Sequence, residues 1–138
     1  MTNIEPEVPA PTIGHVKIVY YGPVHPHWGV EKVFGDDAIY EYSRAIDADP
    51  DYYVAYNNRG LAKMDKGDYE GAITDFTKAI EKNPDYAYAY NNRGSAKYKA
   101  EQYSSAIEDF DKAIKLNGNY ITAYLNRGNA KEMTRDID

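Results

Sequence analysis

The chain has 138 residues, a formal net charge of −6 and a sequence pI near 5.0. Its length suits one domain, and its acidic balance argues against a nucleic-acid or anionic-membrane surface, since both need a concentrated basic face. No cysteine is present, which excludes disulfides and thiolate chemistry. No apolar stretch approaches the roughly 20 residues that cross a bilayer, and the acidic, proline-rich start MTNIEPEVPAP is unlike a signal peptide. We therefore expect a soluble cytoplasmic protein.

Residues 1–36 form the first predicted region. Five of the seven prolines lie at or before Pro26, and everything beyond about Gly35 has the pattern of short helices with small breaks. Within this region, HVKIVYYGPV (15–24) and WGVEKVF (28–34) have the composition of strands. The sequence therefore predicts a β-hairpin around GPVHPH.

Three histidines in this region are candidate metal ligands, because a neutral imidazole binds zinc or copper. They are His15, His25 and His27. Only the last two are close in sequence, and no carboxylate or thiolate lies at ligand spacing. We expect no metal site.

The rest of the chain, residues 37–138, repeats with a period of 34 residues, and two stretches with apolar residues at helical spacing recur in it. The first is AYNNRGLAKM, AYNNRGSAKY and AYLNRGNAKE, which begin at Ala55, Ala89 and Ala123. The second is AIYEYSRAI, AITDFTKAI and AIEDFDKAI, which begin at Ala38, Ala72 and Ala106.

Helix breakers follow the second stretch, and a turn separates the two stretches. The breakers are Pro50, Pro84 and Gly118, and Gly67-Asp68 marks one turn. Each unit is therefore a helical hairpin, and the array is an all-α solenoid of five to six helices. We predict a first helix over 38–48, repeats over 53–86 and 87–120, and a final helix over 121–135.

This pattern resembles the tetratricopeptide repeat over about three quarters of the chain. In the first helix of each repeat (helix A), the matching positions are Tyr56, Tyr90, Tyr124, Gly60, Gly94, Gly128, Ala62, Ala96 and Ala130. In the second helix (helix B), they are Tyr69, Tyr103, Ala72, Ala106, Phe76, Phe110, Ala79 and Ala113. The resemblance implies an α-solenoid in which small residues let the helices approach, aromatic residues fill the core and helix A lines an inner groove.

Charged residues occupy two positions of helix A where the family usually carries leucine and an aromatic residue. They are Arg59, Lys63, Arg93, Lys97, Arg127 and Lys131. Helix B supplies an acid with the same period. The three arginines and three acids match in number if each pair joins neighbouring repeats. We predict the inter-repeat ion pairs Glu41–Arg59, Asp75–Arg93 and Asp109–Arg127; the alternative is solvated charges worth roughly 0–1 kcal/mol each.

Both terminal helices of the array lack a partner, and repeat arrays need capped ends. Residues 38–48 form a helix B with no helix A before it, and residues 121–135 form a helix A with no helix B after it. Either residues 1–36 fold back over the first helix while the last helix caps the array, or the last helix of one chain meets the first helix of another, giving a homo-oligomer. A third alternative is that the chain is a piece of a longer array.

No nucleophile elbow, phosphate-binding glycine loop or zinc helix motif occurs, so we expect neither catalysis nor a cofactor.

The resemblance places Asn58, Asn92 and Asn126 on the inner face, and Asn57 and Asn91 double the row. An amide both donates and accepts hydrogen bonds, so such a row can hold a peptide backbone, as a similar row does in a tetratricopeptide superhelix.

The function that we expect is a non-catalytic module that binds an extended peptide or a helix of a partner protein. The predicted groove comprises Asn57, Asn58, Leu61, Tyr88, Asn91, Asn92, Ser95, Thr122, Asn126 and Asn129. Chaperone C-terminal tails are disfavoured, because the family binds them with cations that are missing here at Asn57, Leu61, Thr122 and Asn126. The alternative function is self-assembly through the unpaired terminal helices.

Overall fold

The computed structural model describes residues 12–13, 16–21, 27–32 and 37–135. Contacts divide the chain into two units, Met1–Tyr40 and Glu41–Asp138, and each is described by itself.

The described part of the first unit contains a three-stranded antiparallel sheet in the order β1-β2-β3. The strands are β1 (Thr12–Ile13), β2 (Val16–Tyr21) and β3 (His27–Lys32). In the β2–β3 pair, Val16 lies opposite Lys32 and Tyr21 lies opposite His27. The β-branched and aromatic residues of VKIVYY favour this conformation. Residues 22–26, where the sequence predicts the turn, fall outside the described part of the chain.

Six helices follow in the described residues. They are α1 (Asp37–Ala48), α2 (Tyr53–Asp65), α3 (Tyr69–Lys82), α4 (Ala87–Lys99), α5 (Tyr103–Leu116) and α6 (Ile121–Thr134). Helices α2 and α3 form one hairpin and α4 and α5 the next, while α3 packs on α4 and α5 packs on α6. The predicted all-α repeat array is confirmed.

Local hydrogen bonds end each hairpin in the same way. The side chains of Asn83 and Asn117 each accept from the backbone N–H two residues later, at 3.1 Å, which closes the turn into the next repeat. Inside the hairpins, the chain turns through Gly67 (φ 81°) and Glu101 (φ 63°), both in the left-handed region. The Asp68 side chain then caps α3 by accepting from the Gly71 N–H at 2.9 Å.

The core of each hairpin is an aromatic ring lying over a glycine. A methyl group at Gly60 would lie 2.6 Å from Cε1 of Phe76, and one at Gly94 would lie 2.6 Å from Cε1 of Phe110. Both rings are fully buried. Only glycine leaves room for the ring, which explains the small residue in the motif. Tyr124, in contrast, is 44% exposed, because no helix B covers α6 in the described chain.

Candidate functional site

The repeated spacing of arginine, lysine and aspartate produces a buried ion-pair cluster inside each hairpin. Arg59 donates from Nε to Oδ2 and from Nη2 to Oδ1 of Asp75, both at 2.8 Å, and Lys63 Nζ lies 3.0 Å from Oδ2. The same cluster recurs in the next repeat, formed by Arg93, Lys97 and Asp109. This two-pronged geometry is the strong form of an arginine–carboxylate pair. The hydrogen bond to Asp75 raises the pKa of the Arg59 guanidinium further above its ordinary value.

The predicted inter-repeat pairing of these charges is wrong. Arg59 pairs with Asp75 rather than Glu41, and Arg93 pairs with Asp109 rather than Asp75. The physical reason is that helix B of the same hairpin places its buried carboxylate directly against the charged position of helix A. The prediction rested on matching the numbers of acids and arginines, which does not distinguish the two directions of pairing.

The remaining nitrogen of each guanidinium does reach the preceding repeat. Nη1 of Arg59 lies 3.1 Å from Ser43 Oγ, and Nη1 of Arg93 lies 3.3 Å from Thr77 Oγ1. The third arginine of the series, Arg127, donates from Nη1 to Asp111 Oδ1 at 2.8 Å. The prediction that it pairs with Asp109 is therefore wrong. Each arginine therefore joins its own repeat to the one before it.

Asparagine side chains form a second link between repeats. Asn92 Nδ2 donates to Asn57 Oδ1 at 3.0 Å, and Asn126 Nδ2 donates to Asn91 Oδ1 at 3.1 Å. The two acceptors are only 3% and 6% exposed. Asn57 and Asn91, predicted to double the groove row, are thus occupied within the fold and offer little surface to a ligand.

The other asparagine row, one residue further along each helix A, stays at the surface. Asn58, Asn92 and Asn126 are half-buried. Within residues 37–135, the Asn58 amide has no hydrogen-bond partner, and Asn92 retains one N–H and the carbonyl oxygen beyond its bond to Asn57. Asn126 Nδ2 also donates to Ser95 Oγ at 3.4 Å, so this amide retains its carbonyl oxygen. Asn58 and Asn92 can therefore still donate to and accept from a ligand backbone, and Asn126 can accept.

Beside this row lies a cavity of about 200 Å³ between α4, α5 and α6. It is lined by Ser95, Tyr98, Lys99, Phe110, Asn126 and Asn129. Three of these residues were predicted for the groove. Tyr98, Lys99 and Phe110 were missed, although Tyr98 and Lys99 follow Ser95 by three and four residues, the spacing that keeps a helical face together. Leu61 and Thr122, also predicted, are exposed but do not line this cavity.

A row of tyrosines adds an aromatic surface at the start of the A helices. Edge-to-face contacts join Tyr53 to Tyr86, Tyr86 to Tyr88 and Tyr88 to Tyr120, with ring centroids 4.9, 5.5 and 5.6 Å apart. Burial raises the pKa of Tyr86 and Tyr120. Tyr88, the predicted groove residue, is 57% exposed at the middle of the row. The period of 34 residues was the signal for Tyr86 and Tyr120, whereas Tyr53 lies one residue beyond Tyr52 in this series.

Two further features bear on what the chain can do. In the part of the chain that the structure describes, no helix combines the length and the apolar character that crossing a bilayer requires. The same residues hold no group of three or more side chains suited to bind a metal ion. Of the three histidines, His15 and His25 lie outside the described residues, and only the backbone of His27 is described.

Family models match the repeat array. One described as TPR repeat matches residues 60–100, and one described as tetratricopeptide repeat matches residues 87–120. No curated protein matches this chain in sequence. The paired helices, the glycine under the aromatic ring and these matches together identify the array: the chain belongs to the tetratricopeptide repeat proteins.

Solved tetratricopeptide domains share the fold. The first TPR domain of human RPAP3 is 27% identical over 72% of this chain and 79% of its own, with a TM-score of 0.71, and a second structure of the first TPR of RPAP3 holds the HSP90 peptide SRMEEVD. MamA is 30% identical over 72% of this chain and 58% of its own, with a TM-score of 0.68. The TPR2B domain of yeast Sti1, in complex with Hsp70, is 26% identical over 73% of this chain and 85% of its own, with a TM-score of 0.68.

Proposed function

We propose that this chain is a non-catalytic protein-interaction module that holds an extended peptide segment of a partner protein along the A helices α2, α4 and α6. The observation that carries the proposal is the row of partly free amides at Asn58, Asn92 and Asn126, one in each repeat. An extended backbone offers N–H and C=O groups along its whole length, so a row of amides binds it with little regard for side chains. The RPAP3 domain that is similar in fold and holds an HSP90 peptide supports this use of the fold.

Helical spacing places the other candidate contacts on the same face. Tyr88, Asn92, Ser95 and Lys99 follow one another along α4 at intervals of three or four residues, so they form one stripe. The exposed ring of Tyr88 stands at one end of this stripe, and the cavity lined by Ser95 and Lys99 lies at the other. A segment bound along the amide row would therefore have an aromatic surface on one side and a pocket for one side chain on the other.

The chemistry of the groove favours a peptide with few charges. Among the residues that line the cavity, Lys99 is the one ionic side chain. The positions at which the family uses cations for acidic C-terminal tails hold Asn57, Leu61, Thr122 and Asn126. A peptide such as SRMEEVD would bring carboxylates to a surface without the charges to neutralise them, and the chain itself is acidic. We expect its ligand to be uncharged or mildly basic.

A random-peptide phage display library tests the proposal directly. The wild-type chain should retain extended peptides that are poor in acidic residues, and the SRMEEVD peptide should fail to compete with them. A variant with Asn58→Ala and Asn129→Ala should bind the selected peptides at least about tenfold more weakly, which corresponds to the loss of about 1.4 kcal/mol. Neither amide takes part in a hydrogen bond of the described fold, so the variant should remain folded by circular dichroism.

Asn119→Ala is the matched control, because Asn119 is an exposed asparagine in the loop before α6, away from the A-helix row. Equal binding by the groove variant and this control would overturn the proposal. Failure of the library to yield any peptide that the wild type retains would do the same.

A further inference from the structure

Helix α6 presents an empty site shaped for a helix B. At Gly60 and Gly94 a methyl group would strike the ring of the following helix, whereas at Gly128 it would meet nothing within 4 Å. The aromatic residue of α6 is uncovered as well, because Tyr124 is 44% exposed whereas its counterpart Tyr90 is 8% exposed. The face of α6 that corresponds to the ring-covered faces of α2 and α4 is open in the described chain.

The charges on this face are also incomplete. Arg59 and Arg93 use Nε and Nη2 to hold the aspartate of the next helix, and Lys63 and Lys97 hold the same carboxylates. In α6, Arg127 makes its ion pair to Asp111 through Nη1 alone. Its Nε and Nη2, together with the ammonium of Lys131, have no carboxylate partner among residues 37–135. The empty site therefore lacks one acid.

The same end of the array carries apolar side chains that are exposed to water. Ile121, Leu125 and Met133 of α6 all have more than half of their surface accessible, at 72%, 63% and 53%. Burial of such surface favours association. The end of the array thus offers apolar area beside the empty site, and the site itself has shape and charge for an occupant.

Helix α1 has the pattern of a helix B and has no helix A before it among the described residues. Its segment AIYEYSRAI aligns with AITDFTKAI of α3, so that Ala38, Glu41, Tyr42 and Ala45 correspond to Ala72, Asp75, Phe76 and Ala79. The four residues of α3 are fully buried against α2. In α1, Ala38 and Glu41 are exposed and Tyr42 and Ala45 are half-buried. Helix α1 therefore carries the acid, the ring and the small residues that the empty site lacks.

We propose that α6 of one copy of this chain receives α1 of a second copy and completes a tetratricopeptide hairpin between them. In this arrangement the Tyr42 ring of the second copy covers Gly128, and its Glu41 carboxylate accepts hydrogen bonds from Arg127 Nε and Nη2 and from Lys131. The interface is head-to-tail, so each added copy leaves one free α1 and one free α6, and growth is open-ended unless a ring closes.

The residue at the junction departs from the internal repeats. Asn57 and Asn91 accept a hydrogen bond from the next helix A, but the corresponding residue of α6 is the exposed Leu125. In the proposed assembly, an apolar side chain therefore lies where the internal repeats have an amide link. The alternative, in which residues 1–36 fold back over the first helix of their own chain, predicts a monomer instead.

Sedimentation velocity of the full chain over a wide concentration range tests the proposal. The wild type should show a mass that rises with concentration, and Gly128→Ala should remain a monomer, because the added methyl group would meet the incoming ring as it would at Gly60. The same substitution should not lower the thermal midpoint, since the site is empty in the isolated chain. Gly118→Ala is the matched control, because a methyl group there also meets nothing within 4 Å and lies away from the site.

Mixing two blocked variants separates head-to-tail assembly from other association. Glu41→Arg disables α1 and leaves α6 intact, whereas Gly128→Ala disables α6 and leaves α1 intact. Each variant alone should be monomeric, and an equimolar mixture should give a species of twice the monomer mass. A wild type that stays monomeric at every concentration would overturn the proposal, and so would assembly by Gly128→Ala alone. Peptide binding by the monomeric variants is unaffected in either case, so this result is independent of the proposed groove.

Discussion

Asn92 donates a side-chain N–H to Asn57 Oδ1 at 3.0 Å, although the two residues are 35 positions apart. The bond joins α4 to α2, and its repetition between Asn126 and Asn91 joins α6 to α4. The paired asparagines of the NNRG motif therefore have different roles. The first is a buried acceptor that fixes the spacing of neighbouring A helices, and the second is held in place by that bond at the edge of the groove. A peptide-binding amide fixed in this way loses less side-chain entropy when it binds.

Removal of the buried acceptor should weaken the array. In Asn57→Ala, the Asn92 N–H loses its partner in a partly buried position, so the free energy of unfolding should fall by about 1–3 kcal/mol. In Asn58→Ala, no hydrogen bond of the described fold is lost, so the change should stay within about 0.5 kcal/mol. Urea denaturation followed by circular dichroism measures both. Equal stabilities of the two variants would contradict the division of roles.

The buried aspartates should be the most sensitive charged positions. Asp75→Ala leaves Arg59 and Lys63 facing each other without a carboxylate, and the free energy of unfolding should fall by about 3 kcal/mol, at the low end for a broken buried pair because both cations retain some solvent contact. Asp111→Ala removes an exposed partner of Arg127 and should cost less than about 1 kcal/mol. Similar losses in both variants, measured by denaturant unfolding, would argue against the buried cluster as a main source of stability.

Most of the helical fold was predictable from the sequence, because it depends on local patterns. The 34-residue period, the prolines after α1 and α3 and the apolar spacing place the helices within a residue or two of their positions in the structure. The glycine under the ring was also readable, since Gly60 and Phe76 recur together. These signals repeat along the chain, and each is consistent with one local structure.

The pairing of polar side chains was less predictable, because periodicity does not give direction. Asp75 recurs at the same interval as Arg59 and Arg93, so the sequence permits a pair with either, and only the packing of α3 against α2 selects Arg59. The adjacent residues Asn57 and Asn58 recur together for the same reason. Consecutive residues are rotated by about 100° around the helix, so Asn57 is buried while Asn58 stays at the surface.

The two kinds of glycine in the A helices should respond oppositely to the same substitution. Gly94→Ala forces a methyl group against the Phe110 ring and should lower the free energy of unfolding by about 1–3 kcal/mol. Gly128→Ala adds a methyl group in open space and should raise it by about 0.5–1 kcal/mol, because alanine loses less backbone entropy in a helix. Denaturant unfolding at low protein concentration isolates the monomer. Destabilisation by Gly128→Ala would show that α6 is covered within its own chain.

The tyrosine row should make stability depend on pH in the alkaline range. Burial, with a smaller effect of neighbouring Tyr53, raises the pKa of Tyr86 in the folded chain above its unfolded value of about 10. The contribution of this neutral phenol is fully present below pH 10 and is lost as the pH rises through the folded pKa. Relative to Tyr86→Phe, the wild type should therefore keep its stability below about pH 9 and lose it as the pH rises from about 10 through the folded pKa of Tyr86. A stability difference that stays constant over this range would contradict the burial of the hydroxyl.

The central claim is that the amide row of α2, α4 and α6 binds extended peptide, and NMR of the ¹⁵N-labelled full chain tests it most directly. On addition of a peptide selected by display, the side-chain NH₂ signals of Asn58, Asn92 and Asn126 should shift together with the backbone signals of Tyr88 and Ser95. The buried amides of Asn57 and Asn91 should shift less. Shifts confined to the B helices α3 and α5, with the three asparagine side chains unmoved, would contradict the account.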